Sequence, residues 1–284
     1  MSDQLLVTTD WLAANLTDPK IRIVDIRGHV APATDPLPHY FNHVADYAQS
    51  HLPGAVFIDW VEEITDPDDP RHAKIAPPER YQAVMRRHGI DDDTLVVAYD
   101  DAQGMFAARL WFTLNYYGHD NVVVLDGGWP KWMLENRAVT ADVPTFAAGA
   151  FVARPRPHWL AYMDEVAQIA SRKHSARLID VRSPAEFKGS ASRAKRAGHI
   201  PGAVNVVRTT LNTPAGTLLP PEKLREVFAQ VGVTESEETV VYCNGGVSAS
   251  YGLLALRQAG FGNNRVYDGS WKEWGNDVDV EVEN

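Results

Sequence analysis

No second cysteine accompanies Cys243 in this chain of 284 residues, so no internal disulfide can form and nothing asks for an oxidising compartment. The first ten residues lack the basic start and apolar stretch of a secretory signal. No apolar run approaches the ~18 residues of a membrane-spanning helix. These absences predict a cytoplasmic protein without membrane attachment. Positive charge is also scarce: 27 basic against 37 acidic residues leave a formal net charge of -10, which argues against nucleic acid as the main partner. A small anionic ligand, which responds to local charge, is not excluded. The ten histidines are scattered and form no metal-ligand pattern.

What is present repeats. Ile23-Val24-Asp25-Ile26-Arg27 returns as Leu178-Ile179-Asp180-Val181-Arg182, and His51-Leu52-Pro53-Gly54-Ala55 as His199-Ile200-Pro201-Gly202-Ala203. Pro77-Pro78-Glu79 returns as Pro220-Pro221-Glu222, and Leu125-Asp126-Gly127-Gly128-Trp129 as Tyr267-Asp268-Gly269-Ser270-Trp271. The four blocks keep their order at offsets of 155, 148, 143 and 142 residues, which marks a duplicated domain. The expected division is residues 1–141, a proline-bearing linker over 142–157, and a second domain over 158–284.

Within the second half, apolar periodicity predicts helices over 164–170, 221–231 and 248–259. Strands are expected over 177–181, 203–207, 239–242 and 265–267. Strands alternating with helices indicate an α/β fold, two tandem domains each with a mostly parallel sheet flanked by helices.

Cys243 ends one of these strands, at the carboxyl edge of a parallel sheet where ligands gather. By itself a lone cysteine is most often a small buried hydrophobe. The residues behind it, Asn244-Gly245-Gly246-Val247-Ser248-Ala249, suggest more. Two glycines let the backbone curl around the sulfur, and successive N–H groups at a helix start make an anion cradle that would stabilise negative sulfur.

The active-loop pattern Cys243 to Ala249, the His199–Ala203 block and the Asp-Gly blocks at Asp126 and Asp268 together resemble the two-domain rhodanese sulfurtransferases, the thiosulfate and 3-mercaptopyruvate sulfurtransferase family. The resemblance runs from about Asp10 to Trp274. It implies that Cys243 takes a sulfane sulfur from a small donor as a persulfide and passes it to cyanide, a thiol or a thioredoxin-like protein, with no metal or organic cofactor. It also implies that the first half, with Asp100 opposite Cys243 and a loop one residue longer, is catalytically silent and walls the cleft. A carboxylate at Asp100 would be repelled by an anion cradle.

Loops of the family that use thiosulfate carry basic residues after the cysteine. The neutral Asn244-Gly245 therefore leans toward 3-mercaptopyruvate, although Gly245 stands where that pattern has serine. Candidate substrate cations are Lys188, Arg193, Lys195 and Arg196, with Glu186 reversing the sign at a position that often carries arginine. His51 is expected to face the cleft and His199 to brace its turn. Arg182 is expected to form a structural ion pair with Glu186, and the tryptophans of the Asp-Gly blocks to pack in the core. Phosphatases share the fold such a resemblance implies, and Ala249, standing where their phosphate-gripping arginine is required, argues against that chemistry here. The remaining alternative is a non-catalytic binding module or persulfide carrier.

Overall fold

Strands that are apolar on both faces must lie between two layers. The computed structural model describes residues 4–284 and meets that requirement twice. The first half runs β1 (Leu6–Val7), α1 (Thr9–Ala14), β2 (Ile21–Asp25), β3 (Gly28–Val30), β4 (Tyr40–Asn42), α2 (Val44–Gln49), β5 (Val56–Phe57), α3 (Pro78–Arg87), β6 (Leu95–Tyr99), α4 (Met105–Tyr116), β7 (Val122–Leu125) and α5 (Gly128–Leu134). The second runs β8 (Leu160–Ala161), α6 (Met163–Ala170), β9 (Arg177–Asp180), α7 (Pro184–Phe187), β10 (Val204–Asn205), α8 (Pro221–Gln230), β11 (Thr239–Tyr242), α9 (Val247–Gln258), β12 (Asn264–Tyr267) and α10 (Ser270–Trp274).

The two five-stranded sheets, β1-β7-β6-β2-β5 and β8-β12-β11-β9-β10, have the same strand order and are parallel throughout. Predicted elements agree with these to within a residue or two. The largest trimming is at the sheet edge, where only Val204 and Asn205 pair with β9. The antiparallel hairpin β3–β4 belongs to the first half alone and was not expected.

Strand alternation separates two environments. Ile23, Val97, Tyr99 and Val123 face one outer core, while Leu178, Val240, Tyr242 and Tyr267 face another. The residues between them, among them Val24, Ala98, Val241 and Val266, join one continuous core shared by both halves. Helices α4 and α9 cross this shared layer, and most of their residues are buried on every side. The segment 141–156 has no regular element, yet it is strapped to the first half: the amides of Phe151 and Arg154 donate to Ile90 O at 3.2 Å and Tyr117 O at 2.9 Å.

The repeated Asp-Gly blocks turn out to be crossed clamps. Asp126 Oδ1 accepts the Leu218 amide at 2.8 Å from the opposite half, and Asp268 likewise accepts the Ile75 amide. Asp268 also pairs with Arg109 of α4 at 2.6 Å and with Lys74 at 3.6 Å. Burial would raise the Asp268 carboxyl, but Arg109 and Lys74 hold it below its ordinary value. Replacing Asp268→Asn removes the counter-charge from two buried cations. Urea unfolding should show a loss of about 3–5 kcal/mol, and a loss under ~1 kcal/mol would mean that the clamp is dispensable.

Candidate active site

Cys243 follows the last residue of β11, and strand parity turns its side chain into the shared core facing the other half. It is 4% exposed, at the base of a cleft of about 430 Å³ lined by both halves. The loop closes as the glycines predict. Gly246 has φ +87° and its amide donates to Cys243 Sγ at 3.2 Å. A side chain at Gly246 would strike Asp268 Oδ1 and Arg109, so glycine is required by space as well as by conformation. The amides of Val247, Ser248 and Ala249, in the first turn of α9, find no acceptor among the described residues and remain free for negative charge near the sulfur. From behind, Ser270 Oγ accepts the Cys243 amide at 3.1 Å, while Trp271 and Lys272 donate to the carbonyls of Cys243 and Asn244.

The equivalent loop of the first half corrects one expectation. Asp100 is not repelled by its cradle; it is the anion the cradle holds. Its Oδ1 accepts the amides of Ala102 and Gly104, both at 2.8 Å, and its Oδ2 those of Phe106 and Ala107 at 2.7 and 2.9 Å. Burial holds the Asp100 carboxyl above its ordinary value although these amides pull it down; each oxygen accepts two amide donors, an arrangement made for the ionised group. Gly104, φ +83°, is the counterpart of Gly246. Asp100→Ala would orphan all four amides, and denaturant unfolding should register a loss of at least ~3 kcal/mol.

The candidate cations divide. Arg193 lines the cleft; it donates through Nη2 to Ala31 O at 2.6 Å, while its buried Nη1 has no partner. Arg196 instead holds the C-terminal segment through Val280 O and Trp274 O, and Lys188 is exposed away from the cleft. Lys195 also lies outside the lining. His51 does not reach the cleft: it is fully buried between the carbonyls of Tyr47 at 2.7 Å and Asp142 at 3.1 Å. The short Leu-Pro-Gly turn aims it at its own domain. His199 braces its turn, with Nδ1 against Phe187 O at 2.8 Å and its ring stacked on Phe187.

Arg182 is structural, but its partner is Asp180 at 2.5 Å rather than Glu186; Arg27 and Asp25 repeat that pair at 2.8 Å. The two-residue spacing lets the guanidinium fold back onto its own strand end. Glu186 lines the cleft, accepting Asn244 Nδ2 at 2.8 Å and the Ser183 hydroxyl at 2.8 Å, with Arg193 at 3.7 Å. Trp132, Trp271 and Trp274 are buried as core, and Trp129 stacks over Arg27.

Other residues reach the site from segments that carried no motif. His29, Val30 and Tyr40 come from the β3–β4 hairpin, and Met105 from α4. Arg208 follows β10 and donates to Ala102 O at 3.3 Å. Lys272 sits behind the loop with Nζ over the Tyr40 ring at 4.3 Å. Burial, with Lys74 and Arg193 nearby, lowers it to about 8. The unfolded chain keeps that proton to about 10.5, so stability rises with pH between the two values. Relative to Lys272→Met, the native protein should gain up to roughly 3 kcal/mol from pH ~8 to ~10.5 in urea unfolding.

Two parallel α/β sheets and a cysteine held in an amide loop at a strand end define a tandem-domain architecture, and comparison with known proteins identifies it. The rhodanese-like domain model matches residues 8–135 and 163–277, so the chain belongs to the rhodanese family. It is 33% identical over 286 residues to the 3-mercaptopyruvate sulfurtransferase of Escherichia coli, covering 100% of this chain and 99% of that one. The sulfur carrier protein TtuD of Thermus thermophilus is also 33% identical, over 98% of this chain and 96% of its own. The crystal structure of SseA, the E. coli 3-mercaptopyruvate sulfotransferase, superposes with a TM-score of 0.83 at 32% identity, over 94% of this chain and 99% of that one.

Proposed function

We propose that this sulfurtransferase carries the transferred sulfur on Cys243. In the first step the Cys243 thiolate attacks the transferable sulfur of a small donor; the bond from that sulfur to the rest of the donor breaks, the remaining fragment leaves with the electron pair (from 3-mercaptopyruvate as the pyruvate enolate, which then takes up a proton), and a persulfide stays behind. In the second step an acceptor, a thiol or cyanide, attacks the outer sulfur and Cys243 departs as thiolate. The observation that carries this reading is the Gly246 amide on Sγ at 3.2 Å beside the unfilled amides of the α9 first turn. That loop suits sulfur that stays negative in both states.

For the donor, the unpartnered Arg193 Nη1 offers one positive contact and Glu186 places a negative charge in the same cleft. That balance favours a singly charged donor such as 3-mercaptopyruvate over doubly charged thiosulfate. The first unit, residues 1–141, contributes walls and the second, 158–284, the nucleophile, joined by 142–157. A lone reactive thiol also suits the reducing cytoplasm. A second reading, persulfide carriage to a protein acceptor such as a thioredoxin-like partner, draws support from the similarity to a sulfur carrier protein.

Intact-protein mass spectrometry after separate incubation with 3-mercaptopyruvate and with thiosulfate tests the first step. One added sulfur on the native protein and none on Cys243→Ser is expected, with the faster loading from 3-mercaptopyruvate. No gain from either donor, or a gain that survives in Cys243→Ser, would overturn the assignment.

A further inference from the structure

The first half presents a chain of titratable groups to the cleft that the transfer scheme leaves unused. Asp101, next to the carboxylate at the silent nucleophile position, lies with Oδ2 at 2.7 Å from His43 Nδ1. His43 Nε2 lies 2.8 Å from His29 Nδ1. The Gly28 amide donates to Asp101 Oδ1 at 3.2 Å and the His29 ring stacks on Phe41 at 4.6 Å between centroids, so both ends are braced.

An ionised carboxylate only accepts, so His43 Nδ1 carries a proton and donates it to Asp101. In the neutral ring His43 Nε2 then accepts from His29 Nδ1–H. This leaves the lone pair of His29 Nε2 as the uncommitted end. His29 is exposed whereas Cys243 is buried, and both line the same cleft. The uncommitted nitrogen therefore belongs to the solvent side, from which an acceptor arrives.

The other lining groups offer no such base. Glu186 is occupied by Asn244, Ser183 and Arg193. Arg182, Arg193 and Arg208 have no lone pair to offer, and burial holds the Tyr40 phenol protonated. His29 is the one histidine of the lining.

We propose that His29 is the general base for thiol acceptors, oriented by His43 and Asp101. This rests on the Cys243 persulfide reading. The thiol R–SH gives its proton to His29 Nε2, and the resulting thiolate bonds to the outer sulfur of the persulfide. The S–S bond to Cys243 breaks, and its electron pair leaves with the Cys243 thiolate. The new persulfide R–S–S⁻ regains the proton from His29, so E–S–S⁻ and R–SH yield E–S⁻ and R–S–SH, with no oxidant or reductant required. Asp101 and His43 are positioning residues that keep His29 in the accepting tautomer and favour the imidazolium once formed.

The test separates acceptors by their need for a base. Native protein and His29→Gln are loaded with whichever donor loads the native chain, desalted, and discharged with sulfite or with 2-mercaptoethanol at pH ~7. Loss of the extra sulfur is followed by intact mass on the loaded fraction. Sulfite attacks through a lone pair with no proton to remove, so its rate should stay within about twofold. Discharge to 2-mercaptoethanol should fall about 10²-fold. Added imidazole should restore much of the thiol rate in His29→Ala, and Asp101→Asn should slow the thiol arm alone by about tenfold. Equal slowing of both arms, no slowing of either, or failure of the His29 variants to load would overturn the proposal. Failure of the native protein to load would instead strike the Cys243 reading.

Discussion

A ring of inward-pointing amides at the start of a buried helix cannot be left without an anion. That constraint governs both halves of this molecule. In the first half the anion is permanent and built in, the Asp100 carboxylate with its four amide donors. In the second the corresponding place is taken by the side chain of Cys243, whose Sγ accepts the Gly246 amide, with the α9 first turn behind. The same backbone device thus serves as a structural knot in one domain and, on the function proposed above, as a seat for exchangeable sulfur in the other.

The first half is also the longer of the two where it meets its partner. Between the first two repeated blocks the offset drops from 155 to 148, so the first half holds seven additional residues there. They fall in the region of the β3–β4 hairpin, which delivers His29 and Tyr40 to the cleft. The next drop, to 143, falls where Arg71 and Lys74 reach over to Glu273 and Asp268. The last, to 142, is the longer loop around Asp100. The places where the repeats disagree are the places where the first domain touches the chemistry of the second.

Much of this was legible before any coordinates. The duplication, the parallel α/β architecture and the tight turn of the loop around Cys243 follow from block order, periodicity and two glycines. The failures have a common physical source. His51 and Arg196 sit in sequence neighbourhoods that suggest a cleft, yet the direction of a side chain depends on which face of a turn closes against which core. His51 is spent on the carbonyls of Tyr47 and Asp142, and Arg196 on the C-terminal segment. Arg182 was assigned the wrong carboxylate because the fold-back onto Asp180 is a matter of strand-end geometry. The hairpin residues carry no recurring pattern, since nothing in the second half answers them. Their only trace is arithmetic, the drift of the repeat offset.

The shared core has a consequence for how such a chain can be inherited. Helices α4 and α9 are buried over most of their length in a core that both halves share, and each Asp-Gly block clamps a loop of the opposite half. Two separate genes encoding the halves would each yield a product with a wide apolar face and half of a buried charge cluster. Those products would have to meet at cellular concentrations. The strap over 141–156 turns that encounter into an intramolecular one, at the millimolar effective concentration typical of short tethers. The first domain therefore cannot easily be shed, whatever stands at its Asp100 position, because it holds a place in its twin's interior.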